Sequence, residues 1–324
     1  MMHFAIIGIG SGVAAALLFA SVTSGTLLSI PLFYLAPLPI MIAGLGWSYW
    51  AALAAALTGA LALGLVFGAV FLFAFLAGAG VPGWWLAYLA MLARPVGAEG
   101  HANALEWYPT GRIVMWAAVL AALVIIVAIP NLGTDGESFR AGLHDALAWM
   151  LKIQSGTAAD GPLALPGSTD PERFINFLVS IIPATAAVLA TLTNLFNLWL
   201  AGRVVKFSGR LTRPWPQISA MRFPPALTAA LALAIALSFA GGLIGVVGGV
   251  ISASLLMAYG VLGFAVLHSI TQGMTSRPFL LAGTYLAVLL IGWLLLALCL
   301  LGALDTIIDL RARISRTRGP PAIS

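Results

Sequence analysis

Nine apolar stretches, most of them near the length that crosses a bilayer as a helix, follow one another along this chain. They lie at 4–22, 30–46, 48–68, 69–92, 112–130, 173–201, 225–240, 246–267 and 279–301. A helix of about 20 residues crosses a hydrocarbon layer about 30 Å thick, so repeated stretches of that length predict transmembrane helices. The fourth is interrupted by "GVPG" at 80–83. Only 8% of the residues are charged, where a soluble domain carries about 25%. Too little polar surface remains to coat a water-soluble globule. The fold class that follows is all-α: one polytopic integral membrane bundle over 1–324, with about eight or nine transmembrane helices embedded in a lipid bilayer.

The first stretch lacks a basic leader and runs on into further spans, so it is expected to be a membrane helix rather than a cleaved signal. Cys299 is alone in an apolar run, which excludes an intramolecular disulfide. The net charge of +5 gives no argument for nucleic acid, because the cations sit in loops where topology explains them. No pair of histidines or cysteines has metal-ligand spacing, and no cluster of acid, base and nucleophile falls at membrane depth. Neither a metal, a cofactor nor an enzymatic activity is expected.

Charge in the connections sets the sides. The 202–223 loop holds Arg203, Lys206, Arg210, Arg213 and Arg222 without an acid, and the 302–324 tail holds Arg311, Arg313, Arg316 and Arg318. The 131–172 loop carries Asp135, Glu137, Asp145, Asp160, Asp170 and Glu172 against Arg140, Lys152 and Arg173. The positive-inside rule makes the loop and tail cytoplasmic, the acidic loop extracytoplasmic and the N-terminus cytoplasmic, in a bacterial inner membrane. Three apparent spans nevertheless separate the basic loop from the basic tail. Eight crossings with both ends inside is the favoured solution, with a Gly-rich piece near 225–250 failing to cross. Within the acidic loop, "SFRAGLHDALAWMLKI" at 138–153 gathers Phe139, Leu143, Leu147, Met150 and Leu151 on one helical side. That predicts an interfacial amphipathic helix, either resting on the membrane or covering something below it.

Small residues recur every fourth position, as Gly8, Gly12, Ala16 and Ala20, or Gly241, Gly245 and Gly249. In lipid such ladders let helices approach closely. "GIGSG" at 8–12 belongs to one of them, having no strand before it and no acid until Glu99. Asp305 and Asp309 sit one turn apart, where Asp309 is placed to pair with Arg313. His268, beside Ser269 and Gln272, has the setting of an interfacial hydrogen-bonding group. The 173–201 stretch carries a continuous stripe of Asn176, Ser180, Pro183, Ala187, Ala190, Asn194, Asn197 and Ala201 among bulky neighbours. The stripe faces the bundle interior, and its asparagines need partners, whether helices or a ligand. Asn176, Ser180, Asn194 and Asn197 are the candidate ligand-binding residues.

Three passages carry a family resemblance: "PLPIMIAGLGW" at 37–47, "NLFNLWLAGR" at 194–203 and "LGALDTIIDLRARI" at 301–314. On these the whole chain resembles the YybS-like membrane-protein family, whose function is unknown. Its N-terminal half, a Pro-rich stretch followed by the Ala/Gly-rich "AALAAALTGALALGLVFG", resembles the S components of energy-coupling-factor transporters. The resemblance implies an S-component-like core that binds a small solute from outside, working with an energy-coupling transmembrane subunit and its ATPases. It also implies a docking role for the face of Gly12, Ala16 and Ala20, alongside simple helix packing. The long acidic loop and extra spans depart from the six-helix plan of that group. Pro37 and Pro39 fit a broken or kinked helix, with Gly44 and Gly46 making a turn into the next span.

Overall fold

The computed structural model describes residues 2–96, 105–155 and 170–317. Asp160, Arg318 and Glu99 lie outside these. Among the described residues, seven helical segments are long and apolar enough to span a bilayer. They are α1 (Met2–Ala20), the pair α2 (Ser29–Tyr34) and α3 (Pro37–Gly46), α4 (Tyr49–Phe67), the pair α5 (Ala69–Phe75) and α6 (Val81–Met91), α7 (Thr110–Ala128), α9 (Pro171–Phe207) and α11 (Gly242–Ile270). The connection between α7 and α9 contains α8 (Gly136–Ser155). Shorter helices follow α9: α10 (Ala226–Ser238), α12 (Arg277–Leu290), α13 (Leu295–Ile308) and α14 (Leu310–Thr317).

The N-terminal half is built on small residues. Gly8 of α1 meets Ala51 and Ala54 of α4, and Gly12 meets Ala55 and Thr58, so the two helices run parallel at close range. Ala16 is buried in the same seam and Ala20 partly so. This small-residue face is therefore covered by the chain's own α4, and a partner subunit could not reach it without parting the two helices. Gly44 lies inside α3 against Ala52 and Ala87, and serves close packing. The turn expected of it is made by Trp47 and Ser48, whose hydroxyl accepts from Trp50 N–H and caps α4. Pro37 and Pro39 occupy the first turn of α3, where a missing N–H costs nothing. The span is broken just before them, at Leu35–Ala36. No break occurs at 80–83. A π turn over Leu76–Gly80 carries α5 into α6, and its longer bonding reach accommodates Pro82.

Two departures concern the connections. The residues between α6 and α7 form a short antiparallel ladder, β1 (Ala93–Pro95) with β2 (Leu105–Trp107), pairing Arg94 with Glu106. Three-residue strands leave too little periodicity to be foreseen. The second departure concerns the last three apparent spans. α10 and α11 form an antiparallel hairpin: Thr228 hydrogen-bonds Tyr259 hydroxyl to hydroxyl at 2.8 Å near one end, and Leu237 meets Gly248 near the other. α10 is only about 20 Å long, yet it links Phe223, beside Tyr259, to Gly242, which touches Gly136 of α8. The expected 279–301 span is instead divided into α12 and α13 by a 3₁₀ turn at Gly292–Leu294. Tyr285 of α12 stacks on Phe264 and hydrogen-bonds His268. In α13, Leu295, Leu298 and Gly302 all meet α11 between Tyr259 and Gly263. Thus α13 packs closely against the part of α11 around Tyr259–Gly263.

The consequence is that the basic loop and the tail share one end of the bundle. Arg222 pairs with Asp309 at 2.9 Å, and Arg311 donates to the Ser219 carbonyl at 2.8 Å. Arg213 reaches the carbonyls of Ala90 and Tyr108 at this same end, while α8 caps the opposite one. With Cys299 replaced, cysteines introduced at Ser208 and Arg316 should therefore react with an impermeant thiol reagent from one face of sealed vesicles, and one at Glu137 from the other. Opposite labelling of Ser208 and Arg316 would break the shared end. A second check lies in the glycines. Gly263→Ala drives a methyl into the Leu298 carbonyl and should cost about 1–3 kcal/mol. Gly283→Ala meets open space and should leave the melting temperature equal or higher.

Candidate functional site

α9 is the element around which both halves assemble. Asp170 caps it by accepting from Arg173 N–H, and Pro183 interrupts its hydrogen-bond ladder, leaving the Val179 carbonyl without its usual donor. The stripe changes character near that proline. Below it, Ala187, Asn194, Asn197 and Ala201 are buried; above it, Asn176 and Ser180 are exposed.

The upper part borders a groove of about 670 Å³ between α8, α9 and the start of α11. Its floor is Val179, Pro183, Ala184, Val246 and Gly249, and its rim is Arg140, His144, Asp145, Asn176 and Ser180. α8 is held over it by Phe139, Leu143 and Leu147, which are buried against Ile175, Val179 and Ile129. Met150, expected on that apolar side, is half exposed. Asp135 starts α8 by accepting from the N–H groups of Glu137 and Ser138 at 2.9 Å each. The Ser138 backbone and hydroxyl and the Glu137 N–H hold its carboxyl below the usual carboxylate range. His144 lies between Glu172 at 2.9 Å and Asp145 at 3.5 Å, which fixes α8 to the first turn of α9. Among the described residues, Arg140 has neither a carboxylate nor a hydrogen-bond partner. The groove therefore offers an available cation and neutral polar groups above an apolar floor.

The lower part belongs to a different place. Asn194 donates to the Ala117 carbonyl of α7 at 3.2 Å. Asn197 donates at 2.8 Å to the Tyr34 carbonyl, freed at the α2–α3 break, and at 2.8 Å to Thr193. Asn194 stands fourteen residues beyond Ser180, about 21 Å along a helix. The four candidate residues therefore do not form one site. Asn176 and Ser180 belong to the groove, and Asn194 and Asn197 join helices. Helical periodicity gives a side chain's azimuth but not what meets it at each height.

The other polar candidates are structural in placement. Asp305 is 5% exposed and binds Arg311, itself 8% exposed, through both carboxylate oxygens. Asp309 has a left-handed backbone (φ 46°) that turns the chain between α13 and α14, so its carboxylate meets Arg222. The expected pairing with Arg313 assumed a straight helix through that point. Arg213 is sunk among carbonyls at the C-terminus of α6, and burial lowers its pKa. The other cations of that loop lie on indoles, Arg203 and Lys206 on Trp215 and Arg210 on Trp47. Among the described residues, no group of three His, Cys, Asp or Glu side chains gathers as a metal site would require.

A family model described as "Predicted membrane protein (DUF2232)" matches residues 12–306. No curated protein and no solved structure matches the chain.

The division of the stripe is measurable. Asn197→Leu removes two donors and adds bulk at a fully buried position. It should cost about 2 kcal/mol, from the interhelical bond to Tyr34 at about 0.6 kcal/mol, the bond to Thr193 on α9 itself, and overpacking. Asn176→Leu at the exposed rim should stay within about 0.5 kcal/mol of the parent. Thermal unfolding of both variants in detergent makes the comparison, and equal losses would contradict it.

Proposed function

The chain belongs to the DUF2232 family of predicted membrane proteins, and we propose that it acts as a non-enzymatic binding and uptake protein for a small solute. The observation that carries this reading is the groove under α8, whose rim includes Asn176 and Ser180 and whose floor reaches the Pro183 interruption. Pro183 leaves the Val179 carbonyl of α9 without its helical donor beside the groove, an acceptor that a solute could use. Arg140 at the rim favours a solute with an anionic or strongly accepting head, and the apolar floor favours a hydrocarbon or ring body.

The orientation that suits this role puts the basic end in the cytoplasm of a bacterial inner membrane and the groove outside, following the charge asymmetry. Uptake would then draw on an energy-coupling membrane subunit with ATPases, as the S-component resemblance implies. Such a partner would meet a surface other than the Gly12–Ala16–Ala20 seam. The competing reading, a scaffold that recruits a protein through the 202–223 loop, has less to draw on. Arg213 and Arg222 of that loop are already engaged with the chain itself.

Gly249 offers the test, because it lines the groove and a Cβ placed there meets no protein atom within 4 Å. The parent and Gly249→Leu are purified from native membranes in mild detergent, and their small-molecule extracts are compared by mass spectrometry. A compound near one per protein in the parent and at least about tenfold depleted in a variant of unchanged melting temperature is the expected result, a factor equal to roughly 1.4 kcal/mol. A stoichiometric protein partner with no such compound would overturn uptake in favour of the scaffold.

A further inference from the structure

A second cavity, of about 260 Å³, lies at the middle of the bundle between α9, α7 and the N-terminal half. It exists because two helices are irregular where they border it. Phe33, Tyr34 and Pro37 flank the α2–α3 break, and Gly78, Ala79 and Pro82 belong to or follow the π turn. Inside hydrocarbon such irregular backbone is tolerated where protein buries it or where it lines a cavity, and π turns are frequent at functional sites.

The chemistry of the lining is specific. Most of it is apolar, with Phe19 and Phe33 in ring contact at 4.8 Å along one side. Three residues are polar: Tyr34, Thr193 and Asn194. The amide nitrogen of Asn194 is used by Ala117, but its side-chain oxygen has no donor among the described residues, although the residue is only 3% exposed. The hydroxyls of Tyr34 and Thr193 likewise have no hydrogen-bond partner among the described residues. No charged side chain lines the cavity, so an ionic ligand would enter hydrocarbon uncompensated. An alkyl chain would leave the polar atoms unsatisfied. An apolar cavity of about 150 Å³ accepts benzene, so this one has room for about one ring more.

We propose that this mid-bundle cavity is a ligand site for a neutral, planar, ring compound that donates a hydrogen bond to the Asn194 side-chain oxygen, with the ring against Phe19 and Phe33. It is separate from the groove under α8, and either site can fail without the other.

Indole is the probe, with indene as its isostere lacking the N–H. Binding to the purified full-length protein in detergent is followed by saturation-transfer NMR and by melting temperature. Indole should bind saturably and about tenfold more tightly than indene, the value of one buried hydrogen bond of roughly 1.4 kcal/mol. Ala190→Leu fills the cavity from α9 while leaving the Asn194–Ala117 bond in place, and it should abolish saturable binding of both probes. Asn194→Leu should abolish the preference for indole if that variant folds; Ala190→Leu decides the matter if it does not. Gly249→Leu, in the groove, should leave indole binding unchanged. The proposal is overturned if indene binds as well as indole, if Ala190→Leu binds like the parent, if Gly249→Leu removes the binding, or if native mass spectrometry finds a retained lipid that indole does not displace.

Discussion

Inside hydrocarbon no water relieves an unpaired amide, and each such group left bare costs several kcal/mol. The arrangement of this chain follows from that demand at the places where its helices are not regular. The break at Leu35–Ala36 frees the Tyr34 carbonyl in the interior, and Asn197, 163 positions later, supplies the N–H that satisfies it. Asn194 adds a second bridge, donating to the Ala117 carbonyl inside the regular α7. These two side chains tie α9 to both α7 and the broken second span. α9 is thus the shared wall of the two halves, and its 37 residues set the height of the bundle.

Close packing of small residues supplies the rest. Gly12 against Ala55 in the N-terminal half and Gly263 against Leu298 in the C-terminal half bring backbones together where a methyl group would not fit. Van der Waals contact of this kind replaces the hydrophobic effect, which gives no advantage to helix over lipid. It also explains why so many large apolar side chains remain on the outer surface. Leu65 is 88% exposed and Phe207 97%, positions that in water would be a liability and in lipid are ordinary.

The class of fold was legible from the length of the apolar stretches, and α8 from its periodicity, because both depend on local sequence. The stripe on α9 was legible as a face, and Asn176 and Ser180 do border a groove. Its division at Pro183 was not, since that depends on α8 and α11 covering one height and α7 and α2 another. Gly44 was read as a turn because glycine serves turns and close contacts equally; only Ala87, 43 residues away, tells the two apart. The 279–301 stretch had the length and hydropathy of a crossing. What divides it is the 3₁₀ turn at Gly292 and the fit of α13 against α11, neither of which leaves a pattern along the chain. Arg311 was read only as a tail cation, because the left-handed turn at Asp309 displaces the helical register by which its pairing with Asp305 would be inferred.

The joint between Asp305, Arg311 and Ser219 also bears on the order in which the protein is made. Ser219 is synthesised before α10 and α11, and Arg311 after them. Both stand at the same end of the bundle, so the guanidinium can reach the Ser219 carbonyl only when the intervening hairpin has gone out and returned. The clasp to Ser219 thus joins an early and a late part of the chain, and it can close only once the hairpin between them is in place.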